Sequence, residues 1–183
     1  MKKLSVLPVL LLFVCLGNVQ AQTAKEMTRK QKKAEQELLD QALFDEAKQA
    51  ITMKNFILEA DHVIFKHGTS AFVSSNTNFV AVKDDKAVVQ VAFNIPVSGP
   101  NGLGGITVEG STSNYKTTDK KGNIFVSMSV MGTGISAQVN IRLDKGSNNA
   151  SVDISPNFNS NRFTLTGSLL PLTKANVFKG TSL

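Results

Sequence analysis

The two histidines, His62 and His67, are the residues of this sequence best suited to metal binding or proton transfer. They stand five positions apart, so in an extended chain their side chains would point to opposite faces. No cysteine lies near them, and the neighbouring Glu59 and Asp61 are typical of a strand surface. Because a zinc site needs three or four convergent ligands, the pattern predicts no metal site, and nothing else in the sequence indicates a cofactor.

Nucleophiles and paired acids and bases give no stronger signal. Serine and threonine are frequent, but no Gly-x-Ser-x-Gly elbow stands between a strand and a helix. Carboxylates can pair as acid and base, but most of those in this chain stand at predicted turns, where Asp is favoured for conformational reasons. The carboxylates considered are Glu59, Asp61, Asp84, Asp85, Glu109, Asp119, Asp144 and Asp153. We predict no catalytic residue and no enzymatic activity.

A glycine-rich run at 99–105, Gly-Pro-Asn-Gly-Leu-Gly-Gly, is the most unusual local pattern. A phosphate-binding P-loop continues into Lys-Ser/Thr and a helix, whereas this run continues into Ile106-Thr107-Val108, which is typical of a strand. We interpret the run as a long turn that uses positive φ at several positions. Such a loop can still contact a ligand at the mouth of a barrel, and Asn101 and Leu103 are its candidate contacts.

Two further loops, 74–79 and 155–162, each combine Asn, Ser and Phe before a predicted strand. Asn and Ser side chains bond nearby backbone groups and can hold such loops rigid, and we favour this scaffolding interpretation. The functional alternative is a polar recognition rim in which Phe79 and Phe158 contact a ligand or partner.

The N-terminus has the pattern of a secretory signal peptide. Lys2 and Lys3 precede an apolar stretch from Leu4 to Leu16, and Val-Gln-Ala at 19–21 offers small residues to a signal peptidase. We predict a signal peptide at 1–21 with cleavage after Ala21, and a periplasmic or secreted protein. The alternative is a transmembrane anchor, but the stretch is shorter than the ~20 apolar residues that span a bilayer.

The single cysteine, Cys15, lies inside that stretch and follows Val14 rather than a small residue, so we expect no lipid anchor and no disulfide. The formal charge is +6, and removal of Lys2 and Lys3 leaves +4. This excess permits weak attraction to anionic surfaces but is too small and scattered to indicate nucleic-acid binding. The expected partner is an unknown small ligand or an envelope protein, and we do not expect an integral membrane protein.

Residues 22–54 are predicted to be helical, because 23–54 is rich in Lys, Glu, Gln and Ala and lacks Gly and Pro. The first part, 25–33, is basic and almost without apolar residues, so we expect it to project into solvent; a tether to an anionic surface is the alternative. The second part is expected to pack on the domain. Its apolar stripe comprises Leu39, Leu43, Ala47, Ala50 and Ile51. The stripe is too short for a coiled coil.

From Phe56 onward the apolar period changes to two, and residues 55–183 are predicted to form one β domain. The predicted strands are Phe56–Phe65, Thr77–Lys83, Lys86–Phe93, Gly105–Thr117, Asn123–Val130, Ile135–Leu143, Ala150–Ser155 and Arg162–Leu170. Short links such as Asp84-Asp85 and 119–122 join strands that each have one apolar and one polar face. This pattern indicates an antiparallel meander. About eight such strands can close into a small all-β barrel without free edges.

An outer-membrane barrel shows the same alternation and has to be considered. Such barrels carry Trp and Tyr girdles at both membrane interfaces. This chain has no Trp and a single Tyr, Tyr115, and its last residue is Leu183. We therefore disfavour a membrane barrel.

Four sequence runs resemble the domain-of-unknown-function family 4251 of secreted Bacteroidetes proteins. They are Ser75–Val82, Gly99–Gly110, Ser155–Arg162 and Asn176–Gly180. The resemblance implies an envelope or periplasmic setting and a lipocalin-like barrel, and it implies no activity and no catalytic residue. We therefore expect a non-catalytic binding module for a small or lipid-like ligand. The alternative is a protein–protein interaction or structural component of the cell envelope.

Overall fold

One long helix, α1 (Leu7–Thr52), precedes all the strands. The computed structural model describes residues 7–92, 105–133, 136–157 and 162–182, with side chains from Met27 onward. The chain divides into two compact units, 1–39 and 40–183. The side chains of residues 27–39 in the first unit are exposed. The last turns of the helix belong to the same unit as the strands.

The end of α1 packs on the domain through part of the expected stripe, Ala47, Ala50 and Ile51, together with Phe44. Leu39 is 54% exposed and Leu43 is only partly buried, so the expectation that these two pack on the domain is wrong for Leu39. The helix presents a face rotated towards Phe44, which the predicted stripe omitted. Lys54, at φ 50°, ends the helical segment in the left-handed region and turns the chain into the first strand.

Nine strands follow the helix in the described part of the chain. They are β1 (Asn55–Phe65), β2 (Ser70–Phe72), β3 (Phe79–Lys83), β4 (Lys86–Ala92), β5 (Gly105–Lys120), β6 (Asn123–Gly132), β7 (Ser136–Leu143), β8 (Asn149–Pro156) and β9 (Phe163–Pro171). Each pairs antiparallel with its neighbours in the order β2-β1-β3-β4-β5-β6-β7-β8-β9, and β9 returns to pair with β1. The predicted eight-strand antiparallel barrel is confirmed, with β2 as one extra strand.

The first and last strands close the barrel along the whole length of β1, from Phe56 opposite Pro171 to Phe65 opposite Phe163. A bulge between Ala60 and His62 interrupts their register. On its other edge, β1 pairs first with β3 and then, through His62–Ile64, with β2. The β1–β2 hairpin is therefore an addition to the wall beyond the end of β3.

Alternate side chains fill the barrel, as the period of two predicts. The core residues from the strands include Phe56, Leu58, Val80, Val89, Val126, Met128, Val139, Ile141, Val152, Ile154, Leu165 and Leu169. Residues of α1 join the same cluster, so the core is continuous from the barrel interior to the helix at one end. The predicted turn at 119–122 is also present, with Lys121 and Gly122 at positive φ as a tight hairpin requires.

Candidate functional site

The helix-covered end of the barrel is fixed by polar contacts. The Tyr115 hydroxyl donates a hydrogen bond to the Ile51 carbonyl at 2.8 Å, and burial raises the pKa of Tyr115 above its usual range. Lys48 pairs with Asp119 at 3.5 Å, and Lys174 pairs with Glu46 at 2.7 Å. These contacts join the helix to the barrel and to the chain after β9.

The opposite end carries a pocket of about 470 Å³ where β1, β8 and β9 meet. We call it the mouth pocket. Its lining residues are Ile64, Phe65, Lys66, Ser155, Pro156, Arg162, Phe163 and Thr164. The residues come from the end of β1 and the turn that follows it, the end of β8 and the start of β9. Barrel closure therefore assembles the pocket from chain segments that are distant in sequence.

The apolar part of the mouth pocket is anchored in the barrel. Phe65 and Phe163 are opposite each other in the β1–β9 ladder, and both pack against the core while remaining partly exposed. Ile64, one position earlier on β1, is 39% exposed. Because the two rings rest on the core, they offer a fixed apolar surface rather than loose side chains.

The polar part of the mouth pocket is cationic. Lys66 follows Phe65, and Arg162 precedes Phe163, so the two cations lie at the same rim; both are exposed. Neither forms an ion pair with a carboxylate in the described part of the chain. The carboxylate of Asp153 stands on the neighbouring strand and accepts a 2.5 Å hydrogen bond from the Thr164 hydroxyl. The mouth pocket therefore combines two positive charges with an aromatic surface.

The two histidines do not converge. His62 bonds Asp61 at 2.8 Å and contacts the Phe72 ring, with centroids 4.0 Å apart and planes inclined by 51°, whereas His67 lies in the exposed turn after β1. Among the described residues, no group of three or more His, Cys, Asp or Glu is placed to hold a metal ion. Phe72 is 83% exposed, so the β1–β2 hairpin presents an aromatic side chain to solvent.

A C-terminal strap, residues 175–182, runs along the outer wall of β1, β3, β4 and β5. The buried Gln90 side chain holds it with its full hydrogen-bonding capacity. Its amide group donates to the carbonyls of Phe178 at 2.8 Å and Thr77 at 3.0 Å, and its oxygen accepts from Gly180 N–H and from the Thr107 hydroxyl, each at 2.8 Å.

Carboxylates on the same wall also bind the strap. The Asn176 N–H donates to Glu59 at 2.8 Å, and Lys179 pairs with Glu109. The hydrogen bond from Lys179 lowers the pKa of Glu109 below its usual range. These two carboxylates, which were candidates for acid–base chemistry, instead contact the chain's own C-terminal segment.

Of the ligand-contact residues predicted from the sequence, only Phe79 lies in the described part of the structure. Phe79 is 2% exposed and follows a loop in which Ser74 accepts hydrogen bonds from Asn78, so this loop has the geometry of a scaffold. A ligand could touch Phe79 only by displacing the chain that covers it. Asn101, Leu103 and Phe158 lie outside the described residues.

Sequence reasoning missed Lys66 and Arg162. Each flanks an aromatic residue at the rim end of a predicted strand, but their proximity depends on closure between the first and last strands.

The fold and the site together define a closed antiparallel barrel with a helix over one end and a cationic pocket at the other. The chain belongs to the domain-of-unknown-function family DUF4251, whose model matches residues 38–169. It is similar to the crystal structure of a DUF4251 family protein from Bacteroides eggerthii DSM 20697, with 51% identity, a TM-score of 0.68, and coverage of 80% of this chain and 99% of that one.

A comparison with curated proteins found no match. Within the part of the chain that the structure describes, no helix has a stretch long and apolar enough to cross a bilayer.

Proposed function

We propose that the protein is an exported, non-catalytic binding module that holds a small or lipid-like ligand at the mouth pocket. The observation that carries the proposal is the pocket itself. Its volume of about 470 Å³ falls within the roughly 300–1,000 Å³ typical of ligand sites. It also has the usual composition of such sites, an apolar surface with a few polar groups at its edge.

The packed core argues for a ligand at the mouth rather than inside the barrel. Side chains such as Met128 and Leu165 are fully buried in the interior, and α1 covers the far end. A ligand in the interior would have to displace these side chains, which would leave their apolar contacts unmade. The aromatic pair Phe65 and Phe163 is the part of the core that reaches the open end.

Purification of the protein from its own periplasm, followed by native mass spectrometry and lipid extraction, tests the proposal. We expect a small molecule to co-purify, and Phe163→Ala to reduce its occupancy by removing half of the aromatic surface. Phe125→Ala, which removes the same side chain from the outer surface of β6, is the matched control. Repeated absence of any co-purifying molecule, or equal loss in both variants, would contradict the proposal.

The proposed location rests on the N-terminal sequence pattern. We expect mature protein to begin at Gln22 and to fractionate as soluble periplasmic or secreted material. N-terminal sequencing and cell fractionation check this expectation. Recovery of protein that still begins at Met1, or that carries lipid on Cys15, would show the location to be wrong.

A second candidate function, docking to another envelope protein, is favoured by the β1–β2 hairpin. Phe72 is 83% exposed and contacts the His62 ring in a tilted geometry, and β2 pairs only with β1 among the described strands. Crosslinking in cells tests this candidate, with Phe72→Ser expected to reduce the crosslinked product and Phe178→Ser, at 61% exposure on the strap, as the control. A protein that remains uncrosslinked at its native concentration would contradict it.

A further inference from the structure

We propose that the mouth pocket selects an amphiphile with one anionic headgroup, which Lys66 and Arg162 bind while the apolar body lies on Phe65 and Phe163. This inference rests on the proposed function and names the class of ligand. Three features of the pocket support it: the position of its charges, the neighbouring carboxylates and the position of its rings.

The charges of Lys66 and Arg162 line the same pocket and can both attract one headgroup. Phe65 and Phe163 are register partners, so Lys66 and Arg162 extend from the same end of one strand pair, and both line the pocket. An Arg guanidinium presents paired N–H donors that match a carboxylate or phosphate, and a Lys ammonium adds a mobile point charge. Together they favour an anion over a neutral or cationic headgroup.

The nearby carboxylates do not neutralise this pair. Asp153 is bonded to the Thr164 hydroxyl, and Asp61 is bonded to the His62 ring. No ion pair joins either carboxylate to Lys66 or Arg162 within the described chain. These hydrogen bonds leave the two carboxylates charged, but among the residues that the structure describes the lining of the pocket carries two cations and no carboxylate, and this lining complements a negative headgroup.

The rings make the apolar body part of the recognition. Phe65 and Phe163 pack on the core and are only partly buried, and Ile64 is 39% exposed beside them. Covering this surface with a hydrocarbon chain removes apolar area from water, which a free inorganic anion cannot do. A headgroup alone should therefore bind far more weakly than the same headgroup on an alkyl chain.

Titration of the full mature protein with simple probes tests the inference. The ionic alkyl probes are kept below their critical micelle concentrations, and the alcohol is kept below its solubility limit. The probes are dodecanoate, dodecanol, dodecylammonium, acetate and inorganic phosphate, and amide chemical shifts locate the binding. We expect dodecanoate to bind at the mouth pocket about tenfold or more tightly than dodecanol, as expected for a charge-assisted contact. Acetate and phosphate should bind weakly, which separates an amphiphile site from a free-anion site.

Four variants sharpen the test. Lys66→Gln and Arg162→Gln should each weaken dodecanoate several-fold, with no effect on dodecanol, and the double variant should abolish the preference. Lys83→Gln removes an exposed lysine at the helix-covered end and should change nothing.

The possible failures are distinguishable. If all three alkyl probes bind the mouth pocket equally, or if the double variant keeps its preference, the inference is wrong while the proposed function stands. If no alkyl probe shifts the amides of the mouth pocket, the inference and the mouth-binding proposal both fail. Tighter binding of phosphate than of dodecanoate would replace the amphiphile with a free anion.

Discussion

At the scale of single residues, Tyr115 shows how one polar atom joins two elements. Its hydroxyl bonds the carbonyl of Ile51 at the end of α1, where a helix leaves carbonyls without partners of their own. The side chain also packs against the core, and the Lys54 ammonium lies 5.2 Å from its ring centroid. Since it is the only tyrosine and the chain has no tryptophan, its ionisation can be followed without interference.

Tyr115 should make the protein sensitive to alkali. Burial raises its pKa in the folded state, so its contribution to stability is fully present below the unfolded pKa of about 10 and is lost as the pH rises through the folded value. We expect Tyr115→Phe to cost about 0.5–1.5 kcal/mol at neutral pH, the usual net contribution of a hydrogen bond, and to remove this alkaline dependence.

Urea denaturation across alkaline pH, with tyrosinate absorbance as the second readout, measures both effects. The lysines contribute equally to the two proteins, so the difference between wild type and Tyr115→Phe isolates the tyrosine. Parallel loss of stability in both proteins would contradict the assignment.

At the scale of elements, α1 shows what the sequence could and could not predict. The composition of 23–54 was sufficient to predict the helix, and three residues of the predicted stripe, Ala47, Ala50 and Ile51, are buried. The prediction failed earlier in the helix, where Phe44 is buried and Leu39 is exposed. Leu43 and Phe44 both stand at helical spacing from Ala47, so the sequence alone does not show which of them faces the barrel. Similarly, β2 has only three residues, too few for a period of two to be visible.

The helix should therefore respond to substitution according to the observed stripe. Phe44→Ala removes a buried ring and is expected to cost about 3–5 kcal/mol, whereas Leu39→Ala should cost less than about 1 kcal/mol because its side chain is 54% exposed. Deletion of residues 23–33 should also cost less than about 1 kcal/mol, since the side chains described in this segment, 27–33, are exposed. Urea denaturation measures the free energy of unfolding of the three variants. A larger loss of stability for Leu39→Ala than for Phe44→Ala would show that Leu39, and not Phe44, packs on the domain.

At the scale of the whole molecule, the strand pattern predicted the barrel but not the site. Alternation along each strand, as in β6, follows from local sequence, and hairpin-length links fix the neighbours of most strands. Closure between β1 and β9 is different, because no short link joins them and a bulge between Ala60 and His62 shifts their register. The mouth pocket depends on that closure, so its two cations could not be paired from the sequence.

Closure also makes one glycine necessary. A Cβ placed on Gly167 would lie 2.0 Å from the Glu59 carbonyl oxygen, where β9 passes the bulge of β1. We expect Gly167→Ala to destabilise the protein by several kcal/mol or to prevent closure, since the clash is with backbone. Gly146→Ala, at φ 73° with open space around it, should cost only about 1–2 kcal/mol from its left-handed conformation. Thermal unfolding followed by circular dichroism compares the two variants. Equal losses of stability would mean that β1 and β9 lie farther apart at Gly167 than the structure shows.

The joint between β1 and β9 has a consequence for biosynthesis. A chain that is made from its N-terminus presents β1 before every other strand. Its partner along one whole edge, β9, is the last strand to be made. The strap that forms hydrogen bonds with Gln90 comes later still. Until then, β1 has an open edge that can pair with other chains. Contacts so distant in sequence also close slowly. Chains truncated before Phe163 should thus remain open and be removed by proteases.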